Sequence, residues 1–224
     1  VTKYSGKGEE IENKDALGRY NAALFGYLES RNVAVASNAR NTDIGYDGFE
    51  DYEYVLNCGN VTDTCNIEGH FDFRKLLIRN IKPVTEAAHT GRFSLKLSAS
   101  AVMKRSVYNV IDNGLLSYNN GMAYTKQNTA LKPFNPQGGA RYLASVWVKD
   151  AAVNAATSNV LEILSGGSVL AASSVAGPQI EGWRKVEVSF IVPVNAADIS
   201  IKLNPQSSTA YFDDIRGQPF DSQL

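Results

Sequence analysis

Two adjacent acids, Asp213 and Asp214, stand inside the run YFDDIRGQPF near the end of the chain. Neighbouring carboxylates can work as an acid–base pair, hold a hard cation, or sit solvated on a strand. The remaining catalytic inventory is thin. Two histidines are present, His70 and His89, and neither has a sequence context resembling a nucleophile elbow or a protease signature. A glycosidase pair needs its carboxyls at about 5 Å or about 6.5–9.5 Å, a separation that sequence spacing does not encode. Cys58 and Cys65 frame the segment NCGNVTDTC. Two sulfurs without a neighbouring His or further Cys make a poor zinc site. A small disulfide-closed loop in an oxidising compartment suits the spacing; two free thiols are the other reading.

Charge and composition narrow the function classes. With 22 Lys and Arg against 23 Asp and Glu, the net charge is −1. No basic excess points to nucleic acid or an anionic membrane surface. At 224 residues and 44% hydrophobic content the chain can bury a sizeable core. No apolar run reaches the roughly 18 residues of a membrane-spanning helix. The first stretch, VTKYSGKGEE, lacks the apolar centre of a leader and begins without Met. A processed chain, or a piece of a longer one, is the expectation. Asn60 in NVT matches a glycosylation sequon, which matters only in a eukaryotic secretory pathway.

The elements that must position these groups read mostly as strands. RFSLKLSAS alternates Phe93, Leu95 and Leu97 with polar residues. RYLASVWVKD puts Tyr142, Ala144, Val146 and Val148 on one face, with Leu143 and Trp147 on the other. WRKVEVSFIVP and DISIKLNP alternate likewise and stop at Pro193 and Pro205. NVLEILSGGSVLAASSV reads as a hairpin around Gly166 and Gly167. Seven or more short strands without a long helix indicate an all-β antiparallel sandwich. Residues 1–44 read differently, as an extended or partly helical lead-in that docks on a body spanning 45–224. DALGRYNAALFGYLESR carries a helical spacing with Asp15 as cap, weakened by Gly18 and Gly26.

The order of GYDGFEDY, HTGRFSLKL, YLASVWVKD, EGWRKVEVSFIVP and AYFDDIRGQPF resembles the carbohydrate-binding-module-like, galactose-binding-like jelly rolls. The resemblance covers about residues 45–220. The lead-in looks like material preceding such modules in large exported proteins of Bacteroidetes-type bacteria, some related to YD-repeat (RHS-like) proteins. The resemblance implies a jelly roll, secreted or on the cell surface, without catalytic activity. It also implies a structural Ca2+ held by Glu50, Asp213 and the backbone carbonyls of Thr90 and Arg92, with Gly91 letting the turn point them inward. Calcium accepts such mixed oxygen donors. The alternative is that Glu50 and Asp213 are capped by backbone amides or solvated. Asp214 is expected on the opposite face from Asp213, and His89 in a structural turn.

A glycan-binding module needs exposed rings that stack on sugar C–H faces, with polar neighbours to read hydroxyls. Trp147 and Trp183 read as core residues, which leaves Tyr108, Tyr118, Tyr124 and Phe134 as candidate platforms. The competing reading buries these rings against a neighbouring domain or chain, in a structural or protein-interaction element. The partners implied are a glycan or adjoining parts of a larger surface protein.

Overall fold

Period-two alternation governs the longer strands of the described residues, Trp183–Ile191 and Asp198–Leu203 most plainly. The computed structural model describes residues 1–5, 7–27, 30–50, 71, 83–84, 86–106, 116–119, 122–125, 134–153, 159–173 and 176–223. The strands are β1 (Lys3–Tyr4), β2 (Glu10–Lys14), β3 (Tyr20–Gly26), β4 (Arg31–Ser37), β5 (Gly45–Asp47) and β6 (Pro83–Val84). They continue with β7 (Ser94–Leu97), β8 (Ala101–Ser106), β9 (Leu116–Asn119), β10 (Met122–Thr125), β11 (Arg141–Lys149) and β12 (Leu161–Ser165). The last are β13 (Ser168–Ala172), β14 (Ala176–Ile180), β15 (Trp183–Ile191), β16 (Asp198–Leu203) and β17 (Ala210–Pro219). Among the described residues the only helical element is a 3-10 turn, Asn41–Asp43.

Two sheets form the body. One has seven strands in the order β14-β15-β11-β17-β7-β6, with β5 also paired to β17. The other has four, β13-β12-β16-β8. Among the described residues the strand pairings within both are antiparallel. The chain crosses repeatedly between them, from β7 to β8, β11 to β12, β13 to β14, β15 to β16 and β16 to β17, in the jelly-roll manner. The expected all-β antiparallel sandwich is therefore the observed one.

The filling between the sheets follows from the alternation. Tyr142, Ala144, Val146 and Val148 join Val186, Val188 and Phe190 in one buried cluster with Leu161, Ile163, Ile199, Ile201 and Leu203. Burying a large apolar side chain of this kind contributes about 1.5–3 kcal/mol. The other face of β11, β15 and β17 is the outer face of the seven-stranded sheet, and the candidate site lies on it. The Gly166-Gly167 hairpin is present, with φ of 55° and 86°, the left-handed pair of a two-residue turn.

The lead-in is not helical. Residues 20–26 form β3, with Ala22, Leu24 and Gly26 inward and the intervening residues half-buried. Asp15 does cap, but it caps a turn: its Oδ1 accepts the amides of Leu17 and Arg19 at 2.9 and 2.8 Å. Gly18, at φ 82°, closes that turn and joins β2 to β3. The helical spacing loses because the same residues also alternate, and the alternating face pairs with β4 over a small core of Ala22, Leu24, Ala36, Ala39 and Ile44. This four-stranded sheet is tied to the body through the Ser37–Gln223 bridge and the Asn135 amide, which donates to the Thr42 carbonyl at 2.6 Å.

Candidate functional site

A break in register builds the site. Strand β17 pairs with β11 from Pro219 opposite Tyr142 down to Arg216 opposite Ser145, then resumes with Asp213 opposite Trp147. Val146 of β11 thus faces two residues of β17, Asp214 and Ile215, which is a β-bulge. Asp214 takes up the extra length at φ 47°, a left-handed conformation that Asp tolerates better than most residues. Strict alternation would send Asp214 to the face opposite Asp213. The bulge overturns that expectation: both acids are buried, at 0% and 1% exposure, and both meet residues 89–90.

Asp213 is held by amides. Its Oδ2 accepts the N–H groups of His89 and Thr90 at 2.7 and 3.2 Å, and its Oδ1 accepts the amide of Asp214 at 2.8 Å. Asp214 is held by side chains. Tyr46 Oη and Thr90 Oγ1 donate to its Oδ1 at 2.5 and 2.8 Å, and His89 Nδ1 bonds its Oδ2 at 2.6 Å. A charged acid accepts only, so the imidazole carries its proton on Nδ1 in this pairing. Burial, and then the neighbouring Asp214 charge, pushes Asp213 up to about 7 against the pull of its amides. The Tyr46 hydroxyl is likewise raised, by burial and by the Asp214 carboxylate.

The His89 ring lies flat on Trp147, centroids 3.9 Å apart, and meets Trp183 edge-on at 5.7 Å. Neither tryptophan belongs to the cluster between the sheets. Both sit at odd positions of their strands, on the outer face; the expected burial holds for Trp183, which is buried, and not for Trp147, which is half-buried.

Glu50 binds the far end of the same turn. Its Oε1 accepts the amides of Arg92 and Phe93 at 2.7 and 2.6 Å. Gly91, at φ 64°, is required here, since a Cβ would stand 2.4 Å from that oxygen. The structure therefore brings Glu50, Thr90, Arg92 and Asp213 together on one turn. It meets both acids with N–H groups, which is the amide-capped alternative weighed above. Among the described residues no group of three or more His, Cys, Asp or Glu could hold a metal ion. A calcium ion would have to share both acids with these amides and draw its other oxygens from the turn's carbonyls.

The candidate aromatic platforms fare differently. Phe134 is 0% exposed, packed on Phe71 and Tyr142 over Gly45 and Gly217, so it is a core residue and no platform. Its ring fills the space that Gly217 leaves on the inner side of β17, while its Cβ and the Phe71 ring fill the space at Gly45. Tyr118 and Tyr124 lie in the β9–β10 ribbon, opposite Ala123 and Ser117, one register step apart. Tyr108, Cys58, Cys65, Asn60 and His70 lie outside the described residues.

No protein-family model matches this sequence, and no curated protein matches it. Several solved structures are similar in part, three of them as follows. A xylan-binding domain from CBM 22, formally x6b domain, shares 15% identity over 64% of this chain and 84% of that one, with a TM-score of 0.36. The CBM22-1–GH10 modules of Clostridium thermocellum endo-1,4-β-D-xylanase 10B, complexed with xylohexaose, share 18% over 54% of this chain and 25% of that one, TM-score 0.29. A Family 16 carbohydrate binding module-2 shares 12% over 64% and 85%, TM-score 0.29. Likenesses this weak support no inference, and the sandwich stands on the chain's own strand pairing.

Proposed function

We propose that this chain is a non-catalytic, carbohydrate-binding-like accessory module of a secreted or cell-surface protein. The observation that carries the reading is how the acids are spent. Each oxygen of Asp213 and Asp214 receives a donor from residues 46, 89, 90 or 214, and Trp147 closes one face of His89. The cluster clasps the 89–93 turn onto the sheet. Away from that clasp Arg141, Glu187, Ser189 and Ile191 are exposed on the outer face of β11 and β15, which suits display of a binding surface on a rigid scaffold. The resemblance noted in the sequence supports the same class.

Affinity electrophoresis through gels containing a panel of soluble polysaccharides tests the reading, alongside an assay for reducing ends released. Retardation without release is the expected result. Release that disappears on an acid-to-amide change would replace the module with an enzyme. A second reading, a structural or protein-interaction element of a large surface assembly, is favoured by the exposed apolar edge of β13, with Val169 at 55% and Leu170 at 38%. Failure to be retarded by any polysaccharide would select it. A structural calcium on Glu50, Asp213 and the carbonyls of Thr90 and Arg92 belongs to the proposal as well; among the described residues no helix is long and apolar enough to cross a membrane.

A further inference from the structure

Half of the outer face of the seven-stranded sheet lies beyond the clasp. In that half the register brings Arg141 of β11 beside Ile191 of β15 and next to Phe220, whose amide donates to the Arg141 carbonyl at 2.9 Å. Leu143 and Gln218 pair one same-face step along, with Ser189 on the other side of Leu143. A sheet face turned to water normally carries polar residues. This one instead leaves Ile191 at 63% and Phe220 at 42% exposure.

The cation in this patch is uncommitted. The Arg141 guanidinium lies 3.7 Å from the Phe220 ring centroid, and its Nη2 donates to Ser189 Oγ at a long 3.3 Å. Those are its side-chain partners among the described residues, and no carboxylate is one of them. The nearest acid along β15, Glu187, is paired with Lys185 at 2.6 Å. An aromatic ring beneath a guanidinium fixes its plane and leaves its N–H edge for a ligand. Planar, paired N–H donors match a carboxylate bidentately. Beside them, Ile191 and the uncovered part of Phe220 offer apolar area to C–H groups, and Ser189 and Gln218 offer hydrogen bonds.

We propose that this patch binds a carboxylated sugar, a uronic acid unit within an acidic polysaccharide, with Arg141 on the carboxylate and Ile191 and Phe220 under the ring. The proposal rests on the module reading above and assigns that reading a site and a ligand class. Arg216, stacked over Tyr46 at 5.5 Å on the same face of β17, is a second cation further along the sheet. A polymer repeating its acid suits the pair better than a single acid does.

The test is native affinity electrophoresis of the full chain in gels containing polygalacturonate, a neutral arabinoxylan, or dextran sulfate at fixed salt. Variants Arg141→Gln, Arg141→Lys and Ile191→Glu are run beside it, each checked for an unchanged unfolding midpoint. Polygalacturonate should retard the wild type. Arg141→Gln should weaken that retardation about ten-fold or more, the scale of a lost charge-assisted bond, and Arg141→Lys should restore it only in part. Arabinoxylan retarding wild type and Arg141→Gln alike, with no effect of polygalacturonate, would overturn this site and leave the module standing. Dextran sulfate acting as strongly as polygalacturonate would reduce the patch to an ion exchanger and overturn the carboxylate assignment. No retardation by any polymer would overturn both readings. A concentration-dependent dimer dissolved by Ile191→Glu, seen in sedimentation, would make the patch an interface between copies instead.

Discussion

The imidazole of His89 lies on the indole of Trp147 at 3.9 Å, 16° from parallel, while its Nδ1 reaches Asp214 Oδ2 at 2.6 Å. One side chain therefore covers the outer face and satisfies a buried acid. Removing it as His89→Ala strips Asp214 of one partner and uncovers Trp147. The expected loss is about 2–4 kcal/mol in urea unfolding, from an unmet buried acceptor plus the lost ring contact. His89→Phe keeps the stack and should recover only part of that loss. Equal stability of all three proteins would deny the clasp.

Gly91 gives the sharpest single-atom test of the turn. The left-handed φ of 64° and the 2.4 Å approach to Glu50 Oε1 both oppose any side chain. Gly91→Ala must strain the backbone or push Glu50 off the amides of Arg92 and Phe93. A destabilisation of about 2 kcal/mol or more is expected. In Glu50→Gln the same glycine change should cost less, because the turn has already lost its charged anchor. Additive losses in this double-mutant cycle would separate the two residues.

How legible the molecule is in its sequence depends on the range of the cause. β11, β15 and β16 could be read residue by residue, because alternation is local and Tyr142, Val186 and Ile199 declare their face. Asp15 reads as a cap in the sequence and caps a turn rather than a helix, since capping chemistry serves turns and helices alike. The bulge at Asp214 leaves no mark in YFDDIRGQPF, for only pairing with β11 shows that a residue is surplus. A tryptophan's burial does not declare which face of a sheet it packs on; a sheet has a second face, and at Trp147 and Trp183 the His89 ring covers part of it. The Arg141–Phe220 stack joins positions distant in sequence and has no local signal at all.

Phe134 separates a platform from a core residue. Its ring packs where Gly217 has no side chain, and a Cβ on Gly217 would stand 2.4 Å from it. Phe134→Ala should cost about 3–5 kcal/mol, the scale of an aromatic cavity. Gly217→Ala should destabilise for the opposite reason, overfilling, by about 1–3 kcal/mol. If Phe134→Ala left the unfolding midpoint unchanged and abolished polysaccharide retention, the ring would be a platform after all.

Asp213 sets a pH signature on stability. An unfolded Asp titrates near 3.9, whereas burial and the Asp214 charge hold this one at about 7. Between those values the folded chain binds the proton more tightly than the unfolded chain does. The contribution is complete below about pH 4, falls as pH rises through 7, and is absent above, a change on the order of a few kcal/mol. The unfolding midpoint should therefore drop between about pH 4 and pH 7, and Asp213→Asn should flatten that drop. Calcium supplies the counter-test, because a cation on Glu50 and Asp213 favours the charged acid and so raises the midpoint chiefly at the alkaline end. A midpoint that rises with excess calcium at about pH 8, reverses with chelator, and no longer responds in Asp213→Asn would establish the ligand set. A midpoint falling with pH but indifferent to calcium would leave Asp213 as a buried acid capped by amides alone.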